Sequence, residues 1–317
     1  MLVRNALREY RTWIMDSRRW EHYVPRDGDI VVATYPKSGT TWTQRIVSLL
    51  IFQSPDPVPL SIISPWIERR FFAPVGAVAD TLKKQTHRRA VKTHLPLDGM
   101  PIYDNIKYIH VARDGRDSCL SMHNHARGLN QAALDEYDRI GLEDETIGKA
   151  YPPIPVDPAD YFSKWVSESM LAGNVDGYQQ LSYFEMERSY WDERKRKNFL
   201  LVHYRDMKAD LETEMRRIAS FLNIDVPDET WPMLIKAASF ETMKQEGDAL
   251  MPHVRDMFLG GKDRFFNKGM NDRWKEVYRP ADLAAYDVKV QTLLTPSCAN
   301  WLAGGRAATS DPAVTLN

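Results

Sequence analysis

The spacing of apolar residues changes period repeatedly along this chain. Ile30–Thr34 (Ile-Val-Val-Ala-Thr) is a β-branched, almost wholly apolar run, the pattern of a strand buried on both faces. It leads into Tyr35-Pro36-Lys37-Ser38-Gly39-Thr40-Thr41-Trp42, after which residues 41–52 have helical spacing: strand, phosphate-sized loop, helix. Further strands are predicted at Ala90–Thr93, Lys107–Ala112 and Phe199–His203, with helical patterns behind the last two at about 116–122 and 211–222. Strands alternating with helices predict an α/β fold, a P-loop-like parallel sheet flanked by helices on both faces, in a single domain.

The flanks read differently. Residues 2–20 carry apolar positions at roughly helical spacing and predict a short leading helix, so 1–27 is expected as an N-terminal helical segment ahead of a main domain, 28–303. Residues 129–158 are polar and contain Pro152, Pro153, Pro155 and Pro158, which predicts a long surface loop shaping a substrate mouth. Residues 304–317 are small and polar, a flexible C-terminal tail.

Composition narrows the function classes. With 317 residues, 43% of them hydrophobic, the chain can bury a substantial core. Its 42 Lys and Arg nearly cancel 43 Asp and Glu, so no global field draws in nucleic acid, and an anion site must be a local cluster. Two distant cysteines, Cys119 and Cys298, exclude a disulfide framework and a thiolate-rich zinc site; Cys119 lies in an apolar stretch and reads as core. The arginine-rich N-terminus lacks the continuous apolar stretch of a signal peptide, and the run 46–52 is too short to cross a bilayer. A cytoplasmic protein with no transmembrane segment is expected.

The loop after the first strand is the main chemical signal. Backbone N–H groups at a helix N-terminus, with the helix dipole behind them, bind anions. Gly39 allows close backbone approach, Ser38, Thr40 and Thr41 add hydroxyls, and Lys37 adds a mobile charge. A nucleoside-triphosphate P-loop is not matched, because Val31 and Pro36 stand where that motif needs glycines. A capped strand-to-helix turn with no ligand is the plainer alternative.

The octapeptide from Tyr35 to Trp42 resembles the 5′-phosphosulfate loop of the cytosolic-type sulfotransferases that use 3′-phosphoadenosine-5′-phosphosulfate (PAPS). Further matches follow in that family's order. Lys92-Thr93-His94-Leu95-Pro96 resembles its catalytic histidine segment, and the stretch from Tyr108 to Ser121, with Arg113 and Ser121 eight apart, its 3′-phosphate motif. Tyr204-Arg205-Asp206-Met207-Lys208 and Ser239-Phe240-Glu241-Thr242-Met243 resemble adenine-side segments, and the stretch from Phe266 to Trp274 the late Lys-Gly loop. The likeness spans about residues 28–280 and is nearest in flavour to bacterial members.

The resemblance implies a sulfotransferase that moves a sulfuryl group from PAPS to an acceptor hydroxyl by in-line displacement, leaving the bisphosphate product PAP, with no metal required. It implies His94 as general base, Lys37 stabilising the leaving group and Lys92 assisting; a histidine suits the role because its ordinary pKa lies near working pH. Donor-binding residues implied are Lys37, Ser38, Gly39, Thr40, Thr41, Trp42, Arg113, Ser121, Tyr204, Ser239, Phe240, Met243, Asn267, Lys268 and Gly269. Trp42, Tyr204 and Phe240 are the candidates to pack on adenine; read without the resemblance they are core. Arg113 read alone is a surface ion pair with Asp114 or Asp117. His110, His123 and His125 receive no role.

Two departures stand out. Asn267 occupies the place of an arginine that grips the 3′-phosphate, a loss that Lys268, the Gly269 backbone or Arg264 is expected to cover, and Ala238 replaces a common threonine. The dimer motif of the animal enzymes has no counterpart after Lys275, so oligomeric state stays open. Two rivals are a P-loop small-molecule kinase and a non-catalytic nucleotide-binding protein. The acceptor is a small-molecule or lipid-linked hydroxyl: a phenol, an alcohol or a glycolipid sugar. Trp66, Phe71, Phe72, Tyr161, Phe162 and Trp165 are candidates to line its pocket, about half of them expected to be core.

Overall fold

The computed structural model describes residues 1–169, 171, 174 and 176–316. Its main sheet has four parallel strands, β2 (Ile30–Thr34), β3 (Ala90–Thr93), β5 (Lys107–Ala112) and β6 (Phe199–His203), in the order β3-β2-β5-β6. A small antiparallel pair joins β1 (Leu2–Arg4) to β4 (Ile102–Tyr103).

Side chains of β2 alternate between two cores. Val31 and Ala33 pack with Tyr35, Leu120, Trp165 and Tyr183 on one face. Ile30 and Val32 pack on the other with Ile46, Leu49 and Leu50 of the Thr40–Phe52 helix and Met215 and Ile218 of the Leu211–Leu222 helix. Both faces of the strand are closed, which is why all five residues are buried and why the run reads as continuous apolar sequence. Burial of each such aliphatic side chain contributes about 1.5–3 kcal/mol. A third cluster, including Phe71, Tyr137, Met243 and Phe258, lies apart from the sheet.

Three expectations are corrected. Residues 2–20 do not form a helix: they hold β1, then irregular chain, then a 3₁₀ turn at Ser17–His22. Tyr10, Met15 and Trp20 enter one core and Trp13 another, so the spacing serves a strap that reaches two clusters rather than one helix face. The polar stretch 129–158 contains a helix, Gln131–Glu143, capped by Asn130 and burying Ala133, Tyr137 and Ile140. Pro158 is not loop but the first residue of the Pro158–Ser167 helix, where its missing N–H costs nothing. The tail is tied down through Arg306, whose guanidinium pairs with Glu214 and lies 3.6 Å from Asp206.

Candidate active site

Each strand of the main sheet delivers a candidate residue at its carboxyl end. β2 runs into the Tyr35–Trp42 loop, β3 ends one residue before His94, β5 one before Arg113, and β6 one before Tyr204. Ligands of open parallel sheets bind along this edge.

In the loop, Lys37 has φ 70° and Gly39 φ 114°. Gly39 is the N-cap of the Thr40–Phe52 helix, and a Cβ added there would meet the Tyr204 ring at 3.0 Å, so glycine is required for both reasons. The Lys37 ammonium lies 3.5 Å from His125 Nδ1 and 4.6 Å from the centre of the Phe265 ring. Burial first, then the charges of Lys92 and Arg113, bring its pKa down to about 7. Lys92, over the Trp66 ring at 4.7 Å, is lowered to about 8 by burial, against the opposing pull of Glu68.

His94 is held by its backbone and its ring. Its N–H donates to Glu68 Oε1 at 2.6 Å, and Nδ1 lies 2.7 Å from the Thr34 carbonyl oxygen. A carbonyl only accepts, so Nδ1 carries the hydrogen and Nε2 keeps its lone pair. Trp66 covers the ring edge-on at 5.1 Å. Burial, reinforced by Lys92, holds the imidazole pKa well below 6.5, so it is neutral.

Among the described residues Arg113 makes no ion pair with Asp114 or Asp117. Asp114 instead binds Arg116 at 2.6 Å, and Asp117 accepts from the Asp272 N–H at 3.0 Å. Arg113 donates to the carbonyls of Lys37 (3.0 Å) and Met270 (2.9 Å) and lies 4.2 Å over the Tyr204 ring. It thereby clips the phosphate loop to the 267–273 loop, which Lys208 also holds through the Gly269 carbonyl at 2.7 Å. Gly269 has φ 59°, and a Cβ there would strike the Phe240 ring at 2.9 Å. Trp42 packs edge-on against Tyr204 at 5.4 Å and donates to the Ala238 carbonyl.

These residues surround one cavity of about 390 Å3. Lys37, Gly39, Thr40, Thr41, Trp42, Lys92, His94, Arg113, Ser121, Tyr204, Phe240, Met243, Asn267, Lys268 and Gly269 all line it. Ser38 and Ser239 do not. Ser38 is fully buried, with Oγ 3.1 Å from that of Ser118, and Ser239 caps the Phe240–Gln245 helix. Arg264 packs beside Gly128 and is not part of the lining, whereas Arg273 is. Trp66, Phe71 and Phe72 line the cavity; Tyr161, Phe162 and Trp165 are fully buried core. Of the charged lining residues only Asp117 is acidic, against Lys37, Arg69, Lys92, Arg113, Lys208, Lys268 and Arg273. The local cationic cluster that a near-neutral chain needs is therefore present.

Sequence reasoning passed over His125, Arg69, Arg273 and Glu68. For His125 a signal existed: it lies four residues after Ser121, on the same face of the Gly115–Ala126 helix. His110 and His123 point elsewhere, to Glu187 at 2.8 Å and the Pro155 carbonyl at 3.0 Å. Among the described residues no three His, Cys, Asp or Glu side chains gather as metal ligands, and no helix is long and apolar enough to cross a membrane.

A parallel sheet whose carboxyl edge carries a cationic cavity with a buried histidine in its wall has the architecture of an α/β enzyme with an anion-binding site. Residues 27–296 match the sulfotransferase domain family, and the chain belongs to it: it is a sulfotransferase. It is 32% identical over 313 residues to a glycolipid sulfotransferase of Mycobacterium tuberculosis, covering 94% of each chain. Against mouse sulfotransferase 1B1 it is 28% identical over 277 residues, covering 85% of this chain and 83% of the relative. The fold is shared with mouse sulfotransferase SULT7A1, solved in complex with PAP: TM-score 0.62, 20% identity, 88% of this chain and 89% of that one. Membership removes the kinase and the non-catalytic readings.

Proposed function

We propose that the protein transfers the sulfuryl group of PAPS to an acceptor hydroxyl. The observation that carries this is His94: a neutral imidazole with Nδ1 committed to the Thr34 carbonyl, so that only Nε2 can take a proton, in a cavity shared with Lys37 and Arg113. The acceptor oxygen forms its bond to sulfur as the bond from sulfur to the bridging phosphate oxygen breaks, and the hydroxyl proton passes to Nε2. Lys37 stabilises the charge that grows on the bridging oxygen, with Lys92 adding to the field. Arg113, Ser121, Lys268 and Arg273 are assigned the 3′-phosphate, and Trp42, Tyr204 and Phe240 the adenine. Arg273 supports this because it lines the cavity six residues after Asn267 and has no acidic partner among the described residues. Aromatic walls at Trp66, Phe71 and Phe72, together with the glycolipid relative, support an acceptor with an apolar body: a phenol, an alcohol or a sugar on a lipid.

Calorimetric titration with adenosine 3′,5′-bisphosphate, AMP and ATP, without magnesium, tests the donor site, and a PAPS turnover assay on hydroxyl acceptors tests the chemistry. The bisphosphate should bind far more tightly than AMP or ATP. His94→Ala should keep that affinity while losing at least about a hundredfold in turnover. Preference for ATP, or unchanged turnover in His94→Ala, overturns the reading.

A further inference from the structure

The cavity has an unused cation on the side away from the phosphate loop. Arg69 and Arg70 are neighbours with opposite fates. Arg70 donates to the Thr12 carbonyl at 2.8 Å and pairs with Asp144 at 2.7 Å. Other withdrawn arginines also have protein acceptors: Arg45 the Pro55 and Asp56 carbonyls, Arg89 the Asp29 carboxylate, Arg113 two carbonyls, although Nε of Arg45 and of Arg113 stays unpartnered. The Arg69 guanidinium has no carboxylate and no hydrogen-bond acceptor among the described residues. Its side chain lies 5.6 Å from the centre of the Phe71 ring and interacts electrostatically with Tyr137, which lines the same cavity. Burial works against its charge and pushes its pKa down, against the opposing pull of Tyr137. None of its nitrogens is sealed away without a partner, so its donors stay open to whatever enters the cavity.

Position says what that is. Arg69 lines the central cavity and also an outer recess that shares Phe71, Phe72 and His253 with it, so it stands at the junction of the two spaces. An aromatic wall leads there from the base: His94 to Trp66 at 5.1 Å, Trp66 to Phe71 at 5.8 Å, then the Arg69 guanidinium. Its backbone is fixed, because its carbonyl accepts from Arg19 and the residue bridges to Met15. Glu68, the preceding residue, is engaged by the His94 N–H and the Thr93 hydroxyl, and Asp256, which lines the outer recess, lies 3.6 Å from Arg255. The donor-side cations Lys37, Arg113, Lys208, Lys268 and Arg273 are separate and match the donor's own phosphates.

We propose that Arg69 is a specificity residue for the acceptor, receiving an anionic group (a carboxylate, phosphate or sulfate) carried on the same molecule beyond the hydroxyl that His94 deprotonates. This rests on the sulfuryl-transfer reading above. Arg69 accepts the anion through its planar fork, while the apolar body of the acceptor lies along Trp66 and Phe71. The acceptor class is therefore amphiphilic and anionic rather than a neutral alcohol.

The test uses ω-(4-hydroxyphenyl)alkanoates of increasing chain length, each with its methyl ester, as acceptors with PAPS. The wild-type protein should favour the acid over the ester by about tenfold or more in kcat/KM at one or more lengths. Arg69→Gln should erase that preference while leaving ester turnover in place, and Arg69→Lys should retain part of it. Equal use of acid and ester by the wild type at every length, a preference that survives Arg69→Gln, or an equal loss on both acceptors in that variant overturns the proposal. Calorimetric binding of acid and ester to the protein, with and without adenosine 3′,5′-bisphosphate, gives the same comparison without turnover. Failure to bind the bisphosphate would sink the donor reading, while Arg69-dependent binding of the acid would still decide this one.

Discussion

At the scale of single residues, His94 was legible because Lys-Thr-His-Leu-Pro is a continuous motif. Its tautomer and neutrality were not, since they depend on burial in the folded site, on Thr34, 60 residues earlier, and on Lys37 from another segment as well as Lys92. The same limit hid the state of Lys37. With its pKa near 7 it is already largely charged below that pH, and it is mostly neutral above. A bound polyanion favours the charged form and restores the pKa upward, so above pH 7 binding must take up a proton. Affinity for adenosine 3′,5′-bisphosphate should thus fall as pH rises through the range above 7, by up to about tenfold per unit. Calorimetry in buffers of different ionisation enthalpy should show the uptake directly. Lys37→Arg, charged throughout, should flatten the profile; a flat profile in the wild type would place Lys37 away from the anion.

At the scale of elements, the four parallel strands were predicted to the residue, because a mostly buried strand demands a short β-branched or apolar run, clearest in Ile30–Thr34 and still visible around Lys92, His110 and His203 in the others. The N-terminal strap was misread because its apolar residues serve two clusters, and the Gln131–Glu143 helix because its exposed face makes the stretch look polar. The loop 267–273 shows how an element absorbs a substitution. Pinned by Arg113 and Lys208, it sets Arg273 on the cavity wall where Asn267 brings no charge. Arg273→Ala should weaken bisphosphate binding by about ten- to a hundredfold, the loss of one charge-assisted contact, and leave AMP binding nearly unchanged. Equal losses for the two nucleotides in calorimetry would remove Arg273 from the 3′-phosphate.

At the scale of the molecule, near-neutral composition coexists with a cavity whose acidic lining is Asp117 alone. Composition required a local cluster without locating it, because the cations come from segments between Lys37 and Arg273 that only the fold gathers. That gathering has a consequence for how the protein is made. Tyr204 follows β6, which pairs with β5, and the loop at 267–273, late in the chain, is clipped to the phosphate loop through Arg113. On the proposed donor site, a chain emerging from the ribosome would lack a complete nucleotide pocket until most of its length has been synthesised, and a bound nucleotide would select for the completed sheet over any partly docked form. At a concentration of about a hundred times its Kd the bisphosphate adds about 2.7 kcal/mol to the folded state. Thermal melts should rise by several degrees with adenosine 3′,5′-bisphosphate, and truncation before residue 267 should abolish the rise. A bisphosphate-dependent rise that needs the late loop would make donor supply a selector of completed chains.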